Sequence, residues 1–181
     1  LERIAQWVHD GGVLVSAGIM KDLEYRDVQA YIDALGLRPD YEVSTGHHEQ
    51  FVQPGIGLPR LEAFRQYHCS MGVMGLQEGV EALSATEEGE GYAATKIARV
   101  YGATAHDYGQ GKAILWMGPL AFKDDPDAIF PDPGWFKGLL ADVIDRYAHL
   151  TDLTPAKGEV ARAKIGEALY ALTEDSRIVK L

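Results

Sequence analysis

The sequence is poor in cysteine, in basic residues and in long apolar runs. Its single cysteine, Cys69, excludes an internal disulfide framework, and it fits a reducing compartment or a secreted protein that does not rely on disulfides, with the cytoplasm favoured. No apolar stretch approaches the length of a membrane span. The formal net charge is -10 at pH 7, and no basic cluster offsets it. Because nucleic acid and anionic membranes repel such a chain, we expect neither as a partner.

Apolar residues are plentiful, and their number and pattern indicate how much of a fold the chain forms. With 181 residues and 46% hydrophobic content, the chain suffices for one globular domain and the start of another. Ile4 to Val8 has the pattern of an amphipathic helix, and it turns at Gly11 into the apolar run Val13 to Gly18. An α/β sheet normally opens with a strand. We therefore expect a piece of a larger protein, incomplete at its N-terminus.

The next stretch combines a clear helix with two segments of weak pattern. A helix is predicted from Asp22, a plausible N-cap, to Leu35, where Gly36 stops it. Residues 38–61 carry Gly, Pro and His without a sustained period, which indicates an irregular insertion or interaction loop. Residues 62–74 are compatible with a short helix or an extended segment.

The second half of the chain contains the strongest elements. Strands are predicted over 80–85 and 92–101, and the most apolar one covers 113–117, whose unbroken apolarity places it inside the sheet. A long amphipathic helix begins at Pro133 or Gly134, can be capped by Asp132, and ends at Leu150.

The sequence pattern changes after Pro155. Short alternating runs at 160–165, 169–173 and 177–181 are separated by turn residues. We read them as the opening strands of a β-domain. A helix over 156–172 is the rival interpretation.

These elements together resemble a known family. Trp7 to Val15, then Val80 to Leu83 before an acidic glycine turn, then Tyr108 to Ala113, then the long terminal helix, resemble a class I glutamine-amidotransferase-like domain. The pattern is most similar to the non-catalytic trimerisation domain that follows the barrel in family 42 β-galactosidases. The resemblance covers residues 1–153, and the stretch from His47 to Gly75 has no counterpart in it.

The resemblance carries structural and functional expectations. It implies an α/β, flavodoxin-like, mostly parallel sheet between helices over 1–153, and a linker with the beginning of a C-terminal β-domain over 154–181. It also implies the absence of an amidotransferase nucleophile, a role in oligomer assembly and a covalently linked catalytic domain.

Cys69 is the candidate nucleophile when the residues are considered alone. An active amidotransferase needs Gly-x-Cys-x-Gly on a sharp strand-to-helix turn, so that backbone N–H groups stabilise the oxyanion. Tyr67 and Met71 stand where the glycines would be. A structural, inert cysteine is therefore the favoured interpretation, and the adjacent His68 is poorly placed to act as its base.

His47, His48 and Glu49 suggest a metal or ligand site. Adjacent residues of a strand face opposite sides, so His47 and His48 cannot chelate one ion, and only the fold could add His68 or His106. We predict surface or interface histidines and no metal or cofactor. His48 and Glu49 remain the first residues to mutate if this segment touches a ligand.

Two further groups have ordinary interpretations. The carboxylates near 87–90 and 124–127 lie in turns, where solvated charge is expected rather than a glycosidase pair. Aromatic residues cluster at the expected carboxyl edge of the sheet, where core packing is favoured over a ligand or interface role, although an exposed ring would suit a subunit contact or a sugar-stacking wall. These aromatic residues are Trp116, Phe122, Phe130, Trp135 and Phe136.

The sequence thus supports three functional hypotheses. The favoured one is a non-catalytic assembly module of a carbohydrate-active enzyme, a β-galactosidase-like glycoside hydrolase, in which helix 134–150 and loop 118–133 stabilise the sheet and region 38–61 meets a neighbouring subunit or the barrel. Its partners would be further copies of the chain, the linked catalytic domain and possible carbohydrate. The alternatives are a self-contained amidotransferase-like or hydrolytic enzyme that uses Cys69 or His48 and Glu49, and a stand-alone binding domain for a small molecule or sugar.

Overall fold

The computed structural model describes most of the chain, in eight segments. These are residues 1–19, 28–64, 66–87, 89–90, 96–118, 134–148, 155–165 and 168–181. Contacts divide the chain into two compact units, Leu1–Ala148 and His149–Leu181. No helix in the described segments is long and apolar enough to cross a membrane.

The first unit mixes short helices with strands of very different length. Its helices are α1 (Glu2–His9), α2 (Gln29–Ala34), α3 (Pro59–Glu62) and α4 (Gly134–Val143), and α4 continues as a π-helix over Ile144–Ala148. Its strands are β1 (Val13–Ala17), β2 (Leu37–Val52), β3 (Gln66–Leu76), β4 (Glu81–Ala85), β5 (Gly89–Glu90), β6 (Lys96–Ile97), β7 (Tyr101–Tyr108) and β8 (Gly111–Trp116).

Six of these strands form one mixed sheet in the order β1-β8-β7-β3-β2-β4, and β4 also pairs with β7. β1 and β8 run parallel, with Val13 opposite Lys112 and Ala17 opposite Trp116. The predicted interior position of β8 is confirmed, because it lies between β1 and β7. The other pairings among the described strands of this sheet are antiparallel. A mostly parallel sheet is therefore not formed here, because tight connections such as the Gly109–Gln110 turn between β7 and β8 force antiparallel neighbours.

The prediction of an irregular segment over 38–61 is wrong for most of its length. β2 occupies Leu37–Val52 and pairs with β3, which also settles the undecided segment after Glu62 as a strand. The register shifts between Leu37 and Glu42 and again between Thr45 and His48, so no period of two persists along β2. Cross-strand pairing therefore outweighs a sequence pattern that reads as a loop.

Two predicted elements differ at their ends. The strand predicted over 92–101 falls partly outside the described residues, and the long strand of this region, β7, begins only at Tyr101. The predicted helix after Asp22 is described from Gln29 onward, while Asp22 itself lies outside the described residues. Its predicted stop is confirmed, because Gly36 has a φ of +73°.

Helices cover both faces of the sheet. Tyr31 of α2 contacts Ser16 of β1 through their hydroxyls, 2.5 Å apart. On the opposite face, the ring of Phe136 in α4 lies 5.9 Å from the ring of Trp116. Because successive residues of a strand alternate between faces, β8 is covered on both sides and its side chains from Ala113 to Trp116 are at most 1% exposed. The strand and the terminal helix thus share one core.

The turn before β8 is held against the end of α1. The Gln110 N–H donates to the carbonyl oxygen of His9 over 2.8 Å, and the Lys112 N–H donates to that of Gly12 over 3.0 Å. A Cβ on Gly111 would lie 2.0 Å from the carbonyl oxygen of Val8. Only glycine fits this close approach, which gives the Gly-Gln-Gly turn a structural role.

The second unit is a three-stranded antiparallel sheet. It consists of β9 (Glu159–Ile165), β10 (Ala168–Thr173) and β11 (Ile178–Lys180), with β10 in the centre. The predicted β-structure is confirmed in the described part of this unit, and the rival helix over 156–172 is not formed there.

Candidate functional site

The aromatic residues near the end of β8 fill the core. Trp116 is 0% and Trp135 is 4% exposed. Phe136 is half-buried against Trp116, and Phe64 meets Trp135 edge-on at 6.1 Å between ring centroids. Phe122 and Phe130 lie outside the described residues. The described aromatic side chains therefore bind α4 to the sheet, and neither tryptophan presents a ring to a ligand.

Cys69 is a buried thiol within a strand. It lies in β3 with no exposed surface, and its Sγ donates to the carbonyl oxygens of Met71 and Met117, the latter over 2.9 Å. Burial raises the pKa of Cys69 to about 11. Because the thiolate is the nucleophilic form, such a thiol is poorly reactive near neutral pH. The arrangement lacks the strand-to-helix turn on which an amidotransferase cysteine depends.

His48 and Glu49 face opposite sides of β2. His48 pairs with Cys69 across the strands, and Glu49 pairs with His68. Cross-strand partners share a face, so the His48 side chain lies on the face of Cys69, with its Nε2 3.4 Å from the Ser44 hydroxyl. Glu49 is exposed on the other face. The two residues are thus separated by the sheet and cannot act on one small ligand.

The histidines and carboxylates do not assemble a metal site in the described part of the chain, where no three His, Cys, Asp or Glu side chains converge. The side chains of His47 and His68 lie outside the described set. His106 is on the α2 side of the sheet, where its Nδ1 contacts the carbonyl oxygen of Ala34 at 3.0 Å.

Gln50 is an unusual buried residue that the sequence did not single out. It is 0% exposed, and its amide nitrogen and oxygen have no hydrogen-bond partner within the described structure. It lies in β2 two residues after His48 and therefore on the same face. A buried amide without partners costs stability. The signal in the sequence was the spacing: Gln50 stands two residues before the apolar Val52 and so shares its face of the strand.

Asp142 is a second important residue that sequence analysis missed. It is 2% exposed in α4, and its Oδ2 accepts from the N–H groups of Arg60 and Leu61, each over 2.8 Å. Its Oδ1 accepts from Arg60 Nη1 over 3.0 Å. These donors stand at the start of α3, so Asp142 caps a helix distant in sequence.

Arg60 completes this contact between α3 and α4. Its guanidinium also donates to Asp145 over 2.7 Å. The hydrogen bond to Asp145, followed by that to Asp142, raises the pKa of Arg60. The cluster fixes the segment between β2 and β3 against the terminal helix. Asp142 lies between the buried Leu139 and Val143, so an acidic residue in an apolar stripe was the signal.

Tyr147 lies in the π-helix that continues α4, two residues after Asp145. The Lys112 ammonium lies 4.7 Å and the Arg146 guanidinium 5.1 Å from the centre of its ring. Lys112 also pairs with Asp107 at 2.5 Å. Burial raises the pKa of Tyr147, and the nearby Lys112 and Arg146 charges oppose that rise. The contacts fasten the π-helix to the start of β8 and leave no unpaired base or nucleophile among these groups.

Comparison with known proteins identifies similar folds. No family model and no curated protein matches the chain. The β-galactosidase from Bacillus circulans sp. alkalophilus matches with a TM-score of 0.51 and 17% identity over 95% of this chain and 24% of that one. The β-galactosidase from Rahnella sp. R3 matches with a TM-score of 0.51 and 19% identity over 94% of this chain and 24% of that one.

A family 42 β-galactosidase from G. stearothermophilus is similar as well. It matches with a TM-score of 0.53 and 17% identity over 93% of this chain and 23% of that one. The chain therefore spans about a quarter of the length of these enzymes. At this level of identity, the similarity shows a shared fold.

Proposed function

We propose that this chain is a non-catalytic assembly module of a carbohydrate-active enzyme, comparable with the trimerisation domain of family 42 β-galactosidases. The observation that carries the proposal is the similarity of nearly the whole chain to about a quarter of several β-galactosidase chains. A segment of that size is a domain of a larger enzyme rather than the enzyme itself. The glycoside hydrolase activity then belongs to the parent protein.

The proposal includes the origin of the sheet. The parallel β1–β8 pair, with α2 on one face and α4 on the other, is the part that a flavodoxin-like, class I amidotransferase-like ancestor would contribute. The β2–β3 hairpin and its antiparallel partners would be additions to that sheet. The buried thiol of Cys69 supports a module that has no amidotransferase chemistry.

The β2–β3 hairpin is the surface that we assign to assembly. It carries the exposed apolar residue Met71, 38% exposed, beside the exposed Thr45. Met71 and Thr45 are cross-strand partners. An apolar side chain with a polar rim is the composition typical of a subunit contact.

Sedimentation velocity over a range of protein concentrations tests the assignment. We expect the 181-residue chain to self-associate and Met71→Asp to weaken that association, because a carboxylate would be buried in the contact. Ile144→Asp is the matched control, since Ile144 is a similarly exposed apolar residue, 42%, on a different element, the π-helix. A chain that stays monomeric at every concentration contradicts the assembly role.

The rival hypothesis is a self-contained amidotransferase-like or hydrolytic enzyme that uses Cys69 or His48 and Glu49. Hydrolysis of a chromogenic β-galactoside by the 181-residue chain, abolished by Cys69→Ala or His48→Ala, would establish that rival. We expect no hydrolysis above the background rate.

A further inference from the structure

Trp7 differs from the other two tryptophans. All three lie in described residues, and Trp116 and Trp135 are buried, whereas Trp7 is 53% exposed on α1. A single exposed apolar side chain is ordinary on a protein surface. The way in which the backbone supports this ring is not ordinary.

The end of α1 places a glycine beneath the indole. The Gly12 N–H donates to the carbonyl oxygen of Trp7 over 3.0 Å, and the Gly11 N–H donates to that of Val8 over 2.9 Å. With the φ of Gly11 at +111°, these two bonds form the Schellman motif that ends many helices. The motif turns the chain back beneath the side chain of Trp7.

The glycine meets the flat face of the indole. A Cβ on Gly12 would lie 2.5 Å from both Cδ2 and Cε2 of Trp7, the two atoms shared by its fused rings. A contact centred on these atoms comes from the face of the ring rather than from its edge. One face is therefore held against the backbone, and the exposed half of the side chain is the other face.

Polar side chains border this exposed face. Arg3 lies one turn before Trp7 and Asp10 one turn after it, on the same side of α1, and both are exposed. The Gln6 amide donates to Asp10 Oδ1 over 2.8 Å and holds this carboxylate on the helix surface. Ile4, 39% exposed, borders the ring on the other side.

We propose that Trp7 is a stacking platform for a sugar ring, with Arg3 and Asp10 as hydrogen-bonding partners of its hydroxyl groups. A pyranose has an apolar face of C–H groups and a rim of hydroxyls. The first fits a flat indole, and the second fits a carboxylate and a guanidinium. The choice of a galactoside as the sugar rests on the proposed function, whereas the platform geometry does not.

The surroundings of Trp7 favour a saccharide over a protein. The centres of protein interfaces are depleted of charge. The exposed side of α1 instead carries Glu2, Arg3 and Asp10 with the polar Gln6 and His9. A ring among so many hydrogen-bonding groups is better suited to a small polyhydroxylated ligand, and a protein contact at this position is an outcome that the test must detect.

Fluorescence titration with lactose tests the proposal in the 181-residue chain. Because Trp116 and Trp135 are buried, a change caused by the ligand reports on Trp7. We expect a saturable blue shift with a Kd on the order of millimolar, typical of a shallow single-ring site. Sorbitol at equal concentrations is the control for solvent effects, since it has hydroxyls but no ring.

Variants locate the binding. Calorimetry should show binding lost in Trp7→Ala, weakened in Trp7→Phe and retained in Ile144→Ala, whose side chain is exposed on the π-helix. Gly12→Ala pushes a methyl group into the ring face and should weaken binding by about tenfold or more, since about 1.4 kcal/mol of lost contact is a factor of ten. Circular dichroism confirms that each variant is folded, and Trp7→Phe replaces Trp7→Ala if the latter does not fold.

Three results would overturn the proposal. They are no saturable response in the unmodified chain, equal affinity in Trp7→Phe and Gly12→Ala as in the unmodified chain, and a Trp7 shift that follows protein concentration instead of lactose. The last result would indicate a protein contact. Sedimentation velocity reports assembly separately, so a failure of lactose binding and a failure of the assembly role are distinguishable.

Discussion

Replacement of Asp142 by Ala tests whether the contact between α3 and α4 holds the first unit together. The substitution removes the acceptor of two backbone N–H groups at the start of α3. The Leu61 N–H is buried, and a buried donor without a partner costs about 1–3 kcal/mol. The Arg60 N–H is only partly buried, and loss of a helix cap of this kind costs about 1 kcal/mol.

The expected loss follows from these two donors. Together they predict that Asp142→Ala lowers the free energy of unfolding by about 2 kcal/mol, since relief of the buried carboxylate offsets part of the cost. The free energy of unfolding of Asp142→Asn should lie between that of the unmodified chain and that of Asp142→Ala. Its amide oxygen can still accept from the backbone, but its NH2 group would face the Arg60 guanidinium, which is also a donor.

Urea unfolding followed by tryptophan fluorescence measures this loss in the first unit, because all three tryptophans lie in Leu1–Ala148. Asp145→Ala is the matched control. Asp145 is exposed, and its hydrogen bond within the described residues is with the guanidinium of Arg60, so its removal should be nearly neutral. A cost below about 1 kcal/mol for Asp142→Ala, or an equal cost for Asp145→Ala, would refute the reasoning.

Four further predictions concern three buried positions. The raised pKa of Cys69, about 11, keeps it a thiol, so labelling by a disulfide reagent at pH 8 should be slow until denaturant is added; fast labelling of the native chain contradicts this. Above pH 9 the unfolded thiol ionises before the folded one, so stability should fall between pH 9 and 11, less steeply in Cys69→Ala, as urea midpoints at each pH will show. Gln50→Met should raise the free energy of unfolding by about 1–2 kcal/mol, because it removes an unpartnered amide, whereas a loss would show that the amide has a partner. Gly111→Ala should lower the free energy of unfolding by about 3 kcal/mol, and with it the thermal midpoint, because its Cβ would collide with the Val8 carbonyl. An unchanged midpoint contradicts that contact.

The sequence predicted the elements whose apolar pattern is local. β1, β4, β8 and the terminal helix each carry apolar residues that recur within a few positions, so a short window contains their signal. The C-terminal strands were predicted for the same reason.

β2 could not be predicted in this way. Its pairing with β3 is interrupted by two register shifts, and Gly46 at the second shift has a φ of +145°. The residues that make it a strand are contributed by β3, more than a dozen positions away. A local pattern cannot contain this information. Asp142 was missed for a similar reason, since its partners Arg60 and Leu61 stand 82 and 81 residues earlier.

The described residues that the sequence offered as a nucleophile or as ligand-binding aromatics lie mostly in the interior of the fold. Cys69 donates to backbone carbonyl oxygens, and Trp116 and Trp135 fill the core. What the first unit offers to other molecules is therefore its surface, where Met71 on β3 and Trp7 on α1 are exposed apolar residues on different elements. Because Met71 lies in β3 and Trp7 in α1, a change at one residue should not alter the other surface. Met71→Asp should therefore leave the lactose response of Trp7 unchanged, and Trp7→Phe should leave the sedimentation profile unchanged. Coupling between the two readouts would mean that one surface performs both roles.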